Sequence, residues 1–226
     1  MTSEARWRVP VGDEEIPAAL HPAATEARAV FVCGPSAGGD MGEAGLLRLV
    51  EMMQQVGLTV VTFNFLYRES GRRRPDPMPV LQRTFAAVVE SVLGRAADPP
   101  LLLLGGRSMG GRVASMLAAD GFACDGLLLF AYPLHPAGAP NRLRSAHLGR
   151  IAVPTLCFNG TRDSLCLREL MEAAVAPLAD RWTMHWLVGA DHSFHVTRAS
   201  GRDDDDVRRE IGAATKTWLD GRARRI

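Results

Sequence analysis

Short apolar runs alternate along this chain with longer stretches in which apolar positions recur at helical spacing. We predict strands at the following runs: Ala29 to Cys33, Leu58 to Asn64, Leu101 to Leu104, Gly126 to Phe130, Thr155 to Phe158 and, more weakly patterned, Trp182 to Val188. All but the last are almost wholly apolar, as burial on both faces of a parallel sheet requires. The pattern therefore predicts an α/β fold with a mostly parallel central sheet and helices on both faces.

The stretches between these strands carry the helical pattern. We predict helices at Gly42 to Val56, Pro79 to Leu93, Met109 to Ala119, Ser164 to Ala176, and from about Asp203 to Leu219. Ahead of the first buried strand, Arg6 to Val11 and Ile16 to Leu20 have polar flanks and fit an antiparallel hairpin at a sheet edge. The chain has 226 residues, which we interpret as one domain over residues 1–226.

Charge and cysteine usage narrow the class of protein. Lys and Arg total 26 against 25 Asp and Glu, so no net field favours nucleic acid or an anionic membrane, and we expect a small-molecule partner. The segment from Met1 to Arg6 is polar, and no apolar run approaches membrane-spanning length. The four cysteines form no C-x-x-C pair. These features favour a cytoplasmic protein with reduced thiols; the oligomeric state is left open.

Four consecutive carboxylates, Asp203 to Asp206, stand just before the last predicted helix. Anionic side chains are favoured at a helix N-terminus by the helix dipole. A metal site is the alternative interpretation of such a run. We favour the helix terminus, and we expect neither a metal nor another cofactor.

The segment Gly106-Arg107-Ser108-Met109-Gly110 directly follows a predicted strand and opens a predicted helix. This strand–turn–helix setting is that of a nucleophile elbow, in which a strained serine is flanked by small residues. The segment does not match two phosphate-binding motifs, because a dinucleotide fingerprint needs glycine where Ser108 stands and a P-loop needs lysine where Arg112 stands. A glycine-rich packing turn remains as the alternative. The motif predicts Ser108 as the nucleophile of an α/β-hydrolase fold.

An acid and a base should follow the nucleophile in the order Ser, Asp or Glu, His, each beyond the end of a later strand. Asp163 stands just past the strand that begins at Thr155, and we predict it as the acid; its alternative role is to cap a helix beginning at Ser164. His192 follows the last strand and is the predicted base. Asp191 is a rival acid, but adjacent residues rarely meet in triad geometry, so we expect it to shape the loop.

Two loops should complete the site. Backbone N–H groups stabilise a tetrahedral oxyanion, one of them from the residue after the nucleophile, here Met109. The second should come from the glycine-rich loop after the first buried strand, where we predict Ala37, with Ser36 as the next choice; an ordinary helix-capping turn is the alternative.

Residues around the mouth of the predicted site are candidates for contact with the substrate. They come from an arginine-rich loop, which contains Tyr67 and Arg68, and from the connection after Phe130, which contains His135 and His147. The arginine-rich loop could select an anionic substrate, although charge runs are more often solvated. The connection from Phe130 to Val153 is too short for a lid domain.

Several segments together resemble the dienelactone-hydrolase-like α/β-hydrolases, and within them a small branch that includes testis-expressed and non-specific-lethal-complex hydrolase-like proteins. The segments are Ala37-Gly38-Gly39-Asp40-Met41, Phe63 to Phe65 with Gly71 to Arg73, Gly105 to Arg112, Tyr132 to Pro136, Gly160 to Asp163, and Asp191 to Phe194. The resemblance implies a lidless fold and a triad at Ser108, Asp163 and His192, and it implies no particular substrate.

The chain departs from this family pattern in two places. Pro35-Ser36 replaces a His-Gly pair that usually opens the first glycine loop, and no glycine follows soon after Asp163. Dienelactone hydrolases proper carry a cysteine at the elbow, so Ser108 argues against transfer of that named reaction. We expect a serine hydrolase that cleaves a small-acyl ester or thioester through an acyl-enzyme. The alternative is a non-catalytic binding or scaffold protein with the same fold.

Overall fold

The structure is a computed structural model that describes residues 5–95 and 101–223. Of the polar N-terminal segment discussed above, Met1 to Glu4 therefore lie outside the described residues. Within the described part of the chain, strands and helices alternate as the apolar pattern predicts. No helix in these ranges is both long and apolar enough to cross a membrane.

One sheet contains the eight strands that the described residues form. They are β1 (Ala5–Val11), β2 (Glu14–His21), β3 (Ala29–Gly34), β4 (Leu58–Phe63), β5 (Leu102–Arg107), β6 (Gly126–Phe130), β7 (Thr155–Gly160) and β8 (Trp182–Leu187). Their order across the sheet is β1-β2-β4-β3-β5-β6-β7-β8. The strands from β3 to β8 run parallel to one another, whereas β1 and β2 form the predicted antiparallel hairpin, with β1 at the sheet edge.

Helices cover both faces of the sheet. They are α1 (Ala44–Gln55), α2 (Leu66–Glu69), α3 (Met78–Leu93), α4 (Met109–Ala119), α5 (Arg168–Val175) and α6 (Asp204–Ala223). Side chains of α1 and α6 form one apolar layer with alternate residues of β3, such as Phe31. Side chains of α3, α4 and α5 form the apolar layer on the opposite face, together with the other residues of β3, such as Val32. Burial on both faces explains the continuous apolar runs of the central strands.

Helix α6 continues to Ala223, past the predicted end at Leu219, and two further details of the helices differ from the sequence prediction. The short helix α2 falls in the arginine-rich loop, where no helix was predicted. Helix α5 begins at Arg168 rather than at Ser164, because the backbone turns after Asp163: the Asp163 carboxylate accepts the Leu165 N–H, and the Cys166 N–H donates to the Asp163 carbonyl. The alternative role of Asp163 as the cap of a helix beginning at Ser164 is therefore wrong.

The connection from β6 to β7, residues 131–154, contains one turn of 3-10 helix, Leu148–Arg150, and no longer helix. Its 3-10 turn packs against helices α4 and α5. The prediction that no lid domain is inserted here is confirmed.

All four cysteines are free thiols. Three of them, Cys33, Cys157 and Cys166, are buried, and this burial raises their pKa values above the usual range. Thiols held in the neutral form are poor nucleophiles, so these cysteines act as small core residues.

Candidate active site

The turn between β5 and α4 places Ser108 at the carboxyl edge of the sheet. Ser108 has φ 50° and ψ −111°, a conformation that residues with a side chain rarely adopt. A Cβ atom at Gly106 or at Gly110 would overlap the backbone of Gly34 on neighbouring β3. Glycine at both positions therefore allows the strained turn to pack directly against the first strand of the parallel sheet.

Ser108, Asp163 and His192 come together beyond the ends of three different strands. His192 Nε2 lies 3.0 Å from Ser108 Oγ, and His192 Nδ1 lies 2.8 and 2.9 Å from the two oxygens of Asp163. Ser108 and Asp163 are buried, whereas His192 is partly exposed. A carboxylate against Nδ1 favours the tautomer that carries its proton there, which leaves Nε2 free to accept the Ser108 hydroxyl proton.

The Asp163 carboxylate is held by neighbours of its own. Asn159, fully buried near the end of β7, donates from Nδ2 to Asp163 Oδ2 at 3.0 Å, and the Leu165 N–H donates to Oδ1 at 2.8 Å. Asn159 also accepts the Tyr132 N–H and donates to the Tyr132 carbonyl. The sequence analysis missed Asn159; its signal was a polar residue that directly follows an apolar strand.

Asp191 shapes the loop that carries His192, as expected. Its Oδ1 accepts the N–H groups of Ser193 and His195 at 2.8 and 3.0 Å. Gly160, at the end of β7, lies so close to the Ala190 carbonyl that a Cβ atom would overlap it. These contacts fix the His192 loop against the strand that precedes Asp163.

The glycine loop after β3 lies beside the elbow. Its backbone is held by the Tyr67 hydroxyl, which accepts the Gly38 N–H at 3.0 Å, and by Asn64 Oδ1, which accepts the Met41 N–H at 2.7 Å. Neither Ser36 nor Ala37 donates its own N–H to any residue that the structure describes. Met109 begins α4, where a backbone N–H has no acceptor within the helix.

Four candidates for substrate contact take part in internal contacts instead of projecting freely. Tyr67 is fully buried under the glycine loop, and Arg68 donates to Asp40 Oδ2 at 3.0 Å. His135 is buried, with Nδ1 3.0 Å from the Pro136 carbonyl and Nε2 accepting the Leu167 N–H. The fourth, His147, is buried as well. Such placement favours a structural role for these side chains.

His147 joins the β6–β7 connection to helix α4. Its Nε2 lies 2.9 Å from Ser115 Oγ and 3.2 Å from the Tyr132 hydroxyl. Burial, together with the positive charges of Arg112 and Arg150, lowers the pKa of His147 to about 4. The ring is therefore neutral near pH 7 and contacts two hydroxyl groups in the interior.

The carboxylates before α6 pair with basic side chains. Asp204 lies 2.6 Å from His195 Nδ1, and Asp206 accepts from Arg209, also at 2.6 Å, while Asp205 pairs with Arg208. Within residues 5–95 and 101–223, no group of three or more His, Cys, Asp or Glu side chains is arranged to hold a metal ion.

A cavity of about 220 Å³ lies between the N-terminal halves of α1 and α6. Arg107 and Ser193, the chain neighbours of Ser108 and His192, contribute to its wall. Its apolar lining comes from Leu49, Met52, Phe194, Val207 and Ile211.

Solved structures share this architecture along most of the chain. A serine hydrolase homologue from Coxiella burnetii aligns with TM-score 0.75 and 18% identity, over 95% of this chain and 98% of its own. A lidless α/β serine hydrolase from Xanthomonas campestris aligns with TM-score 0.75 and 22% identity, over 97% and 96%. A dienelactone hydrolase from Anabaena variabilis aligns with TM-score 0.74 and 17% identity, over 96% of both chains.

These likenesses confirm the predicted lidless fold of the dienelactone hydrolase type. The model of a protein family described as an alpha/beta hydrolase domain matches residues 27–220. That range runs from just before the first parallel strand into the last helix, and it includes Ser108, Asp163 and His192. The chain therefore belongs to the alpha/beta hydrolase domain family.

Proposed function

We propose that the protein is a serine hydrolase that cleaves the ester or thioester of a small acyl group through an acyl-enzyme on Ser108. The observation that carries the proposal is the 3.0 Å contact between Ser108 Oγ and His192 Nε2, with Asp163 bonded to the opposite ring nitrogen. Nucleophile, base and orienting carboxylate within hydrogen-bond reach are the arrangement that activates a serine hydroxyl.

In the first half of the reaction, Ser108 Oγ attacks the carbonyl carbon while its proton passes to His192 Nε2. The carbonyl oxygen becomes an oxyanion, which the N–H groups of Met109 and Ala37 stabilise, with Ser36 as the second choice for the loop donor. The tetrahedral intermediate collapses, and the bond to the leaving oxygen or sulfur breaks. His192 gives its proton to that atom, and the acyl group remains on Ser108.

Water completes the cycle. It attacks the acyl carbon, and His192 Nε2 accepts one of its protons as the second tetrahedral intermediate forms. When the bond to Ser108 Oγ breaks, the proton returns to that oxygen and the carboxylic acid leaves. Asp163 stays ionised throughout and stabilises the imidazolium that forms in each half. No metal or organic cofactor takes part in these steps.

The size of the acyl group can be tested directly. The cavity beside Arg107 and Ser193 is not evidence for that size, because neither Ser108 nor His192 lines it and charged side chains such as Arg48 contribute to its wall. A series of activated esters and thioesters of increasing acyl length tests the size, and we expect kcat/KM to be higher for acetyl and butyryl than for decanoyl substrates.

A fluorophosphonate probe tests the hydrolase itself, because it reacts with activated serines. We expect the protein to be labelled and Ser108→Ala to remain unlabelled. Ser193→Ala, which removes an exposed serine hydroxyl from the His192 loop, is the matched control and should label like the parent. If the parent stays unlabelled while a known serine hydrolase reacts, the hydrolase proposal is wrong and a binding or scaffold function takes its place.

A further inference from the structure

The carboxylate of Glu43 links the glycine loop after β3 to the residue that precedes the nucleophile. Glu43 Oε2 accepts a hydrogen bond from Ser36 Oγ at 3.0 Å. Its other oxygen, Oε1, accepts from Arg107 Nη1 at 2.9 Å. Three side chains thus connect the loop that carries Ala37 to the residue bonded to Ser108.

The backbone around this link leaves room for it. A Cβ atom at Gly39 would overlap the Glu43 carboxylate, and one at Gly45 would collide with the guanidinium of Arg107. Two glycines therefore stand where the linking side chains pass closest to the main chain. A side chain at either position would displace the groups that form the link from their present positions.

Partial burial strengthens the ion pair in this link. The side chain of Arg107 is 14% exposed and that of Glu43 is 32% exposed, so water screens the pair less than it screens a surface pair. An arginine–carboxylate contact is also a charge-assisted hydrogen bond, stronger than one between neutral groups. The Ser36 hydroxyl is thus anchored to a carboxylate whose own position is fixed.

The link adds a side-chain anchor on the flank of the loop that precedes Ala37, where the main chain is also held by the pairing of Gly34 with Gly106 and by the Gly39 N–H, which donates to the Ser36 carbonyl. Tyr67 and Asn64 hold the N–H groups of Gly38 and Met41, which follow Ala37 in the chain. On the side that precedes Ala37, the Ser36 hydroxyl provides the side-chain anchor. The N–H of Ala37 therefore lies between two fixed points.

We propose that Glu43 is a positioning residue for the oxyanion hole. By bridging the Ser36 hydroxyl and Arg107, it holds the glycine loop at a fixed position relative to Ser108. The inference rests on the proposed hydrolase function. It also gives a structural role to the Pro35-Ser36 pair, which replaces the His-Gly pair of the family pattern, because the Ser36 hydroxyl binds Glu43. Glu43 acts through the loop and does not touch the substrate.

Two variants break the link at different atoms. Ser36→Ala removes the hydroxyl, and Glu43→Gln removes the charge that pairs with Arg107. Ser36→Thr keeps a hydroxyl and is the conservative rescue, while Glu51→Gln alters an exposed carboxylate on the same helix α1 and is the matched control. For each variant, kcat and KM with an activated ester, the melting temperature, and amide hydrogen exchange over residues 34–41 are measured.

We expect Ser36→Ala and Glu43→Gln each to lower kcat about tenfold, less than the roughly 10²-fold or greater loss when an oxyanion donor itself is removed. KM should stay within about twofold and the melting temperature should be nearly unchanged, because the link acts on the transition state. The kcat of the double variant should be only slightly lower than that of the less active single variant, because both substitutions break the same link. Exchange over residues 34–41 should be faster in both single variants. Ser36→Thr should recover most of the kcat and of the slow exchange that Ser36→Ala loses, and Glu51→Gln should resemble the parent.

The proposal is overturned if kcat is unaffected in both single variants, or if the loss appears in KM instead. A parent that neither hydrolyses esters nor binds the fluorophosphonate probe refutes the hydrolase function and with it the role in catalysis. In that case, hydrogen exchange still tests whether the link holds the loop. Unchanged exchange over residues 34–41 in Ser36→Ala and Glu43→Gln would show that it does not.

Discussion

Asn159 Nδ2 donates a hydrogen bond to Asp163 Oδ2 at 3.0 Å, and both side chains are buried at the end of β7. The bond fixes the face of the carboxylate that is turned toward His192. Because Asn159 Oδ1 also accepts the Tyr132 N–H, a single amide joins the predicted acid to the chain segment that follows β6.

We predict that Asn159→Ala weakens both stability and catalysis. The buried Tyr132 N–H and carbonyl lose a partner, which costs about 1–3 kcal/mol for an unsatisfied buried group. Asp163 loses one of its donors, so kcat should fall while KM changes less. Urea unfolding and steady-state kinetics of the purified variant measure the two effects. An unchanged kcat would mean that the Leu165 N–H is enough to orient Asp163.

We predict that Ser108→Ala and His192→Ala each reduce the turnover of an activated ester by about 10³-fold or more. The two residues act on the same proton, so the double variant should be close to the lower of the single ones. Steady-state rates with a short-chain ester, at enzyme concentrations high enough to detect residual activity, provide the comparison. Activity equal to the parent in either single variant would exclude the proposed triad.

The packing of the elbow predicts opposite effects for two glycine substitutions in helices. Gly110→Ala places a methyl group on the Gly34 backbone, and we expect it to destabilise the fold by at least about 2 kcal/mol or to prevent soluble expression. Gly212→Ala is the matched control: it lies inside α6, and its Cβ would be in ordinary contact with Val56. There, alanine should stabilise the helix by about 0.5–1 kcal/mol. Thermal and urea unfolding test the pair.

The buried His147 predicts a loss of stability in mild acid. Its pKa falls from 6.5 to about 4 on folding, so between these values the unfolded chain binds more protons than the folded protein does. The contribution of the neutral ring is complete above about pH 6.5 and is lost as the pH falls toward 4, on the order of 3 kcal/mol in all.

The measurement for His147 is the free energy of unfolding from pH 4 to pH 7 for the parent and for His147→Gln. Glutamine retains an amide that can bond with Ser115 and Tyr132 but does not titrate. Over this range, the free energy of unfolding should change less steeply with pH in the variant than in the parent. Parallel curves for the two proteins would show that His147 does not contribute to the pH dependence.

Apolar periodicity predicted the fold well because burial on both faces constrains nearly every residue of the central strands. Strand β6 and helix α4 have the bounds that were predicted, Gly126–Phe130 and Met109–Ala119. The start of α5 was wrong because side-chain bonds of Asp163 set the preceding turn, and apolar pattern carries no information about such bonds. The short helix α2 lacks the length at which helical periodicity can be recognised.

That Ser108, Asp163 and His192 lie close together could be predicted from the sequence, because each lies in the turn or loop that follows a strand, and the carboxyl ends of parallel strands lie along one edge of the sheet. Asn159, Glu43 and Tyr67 depend on contacts between residues distant in the chain. A buried tyrosine under a loop and an exposed one beside a substrate look the same in the sequence. Positions of this kind became recognisable only from the distances between their side chains.

The backbone angles of Ser108 imply that the proposed nucleophile lowers the stability of the fold, whatever its chemistry. A residue with a Cβ atom in such a conformation is strained by roughly 1–3 kcal/mol, whereas glycine adopts it freely. We predict that Ser108→Gly melts at a higher temperature than the parent and is inactive, with Ser193→Gly as a control for the loss of a serine elsewhere. A gain at Ser108 alone would mean that the strained conformation of the proposed nucleophile lowers the melting temperature of this protein.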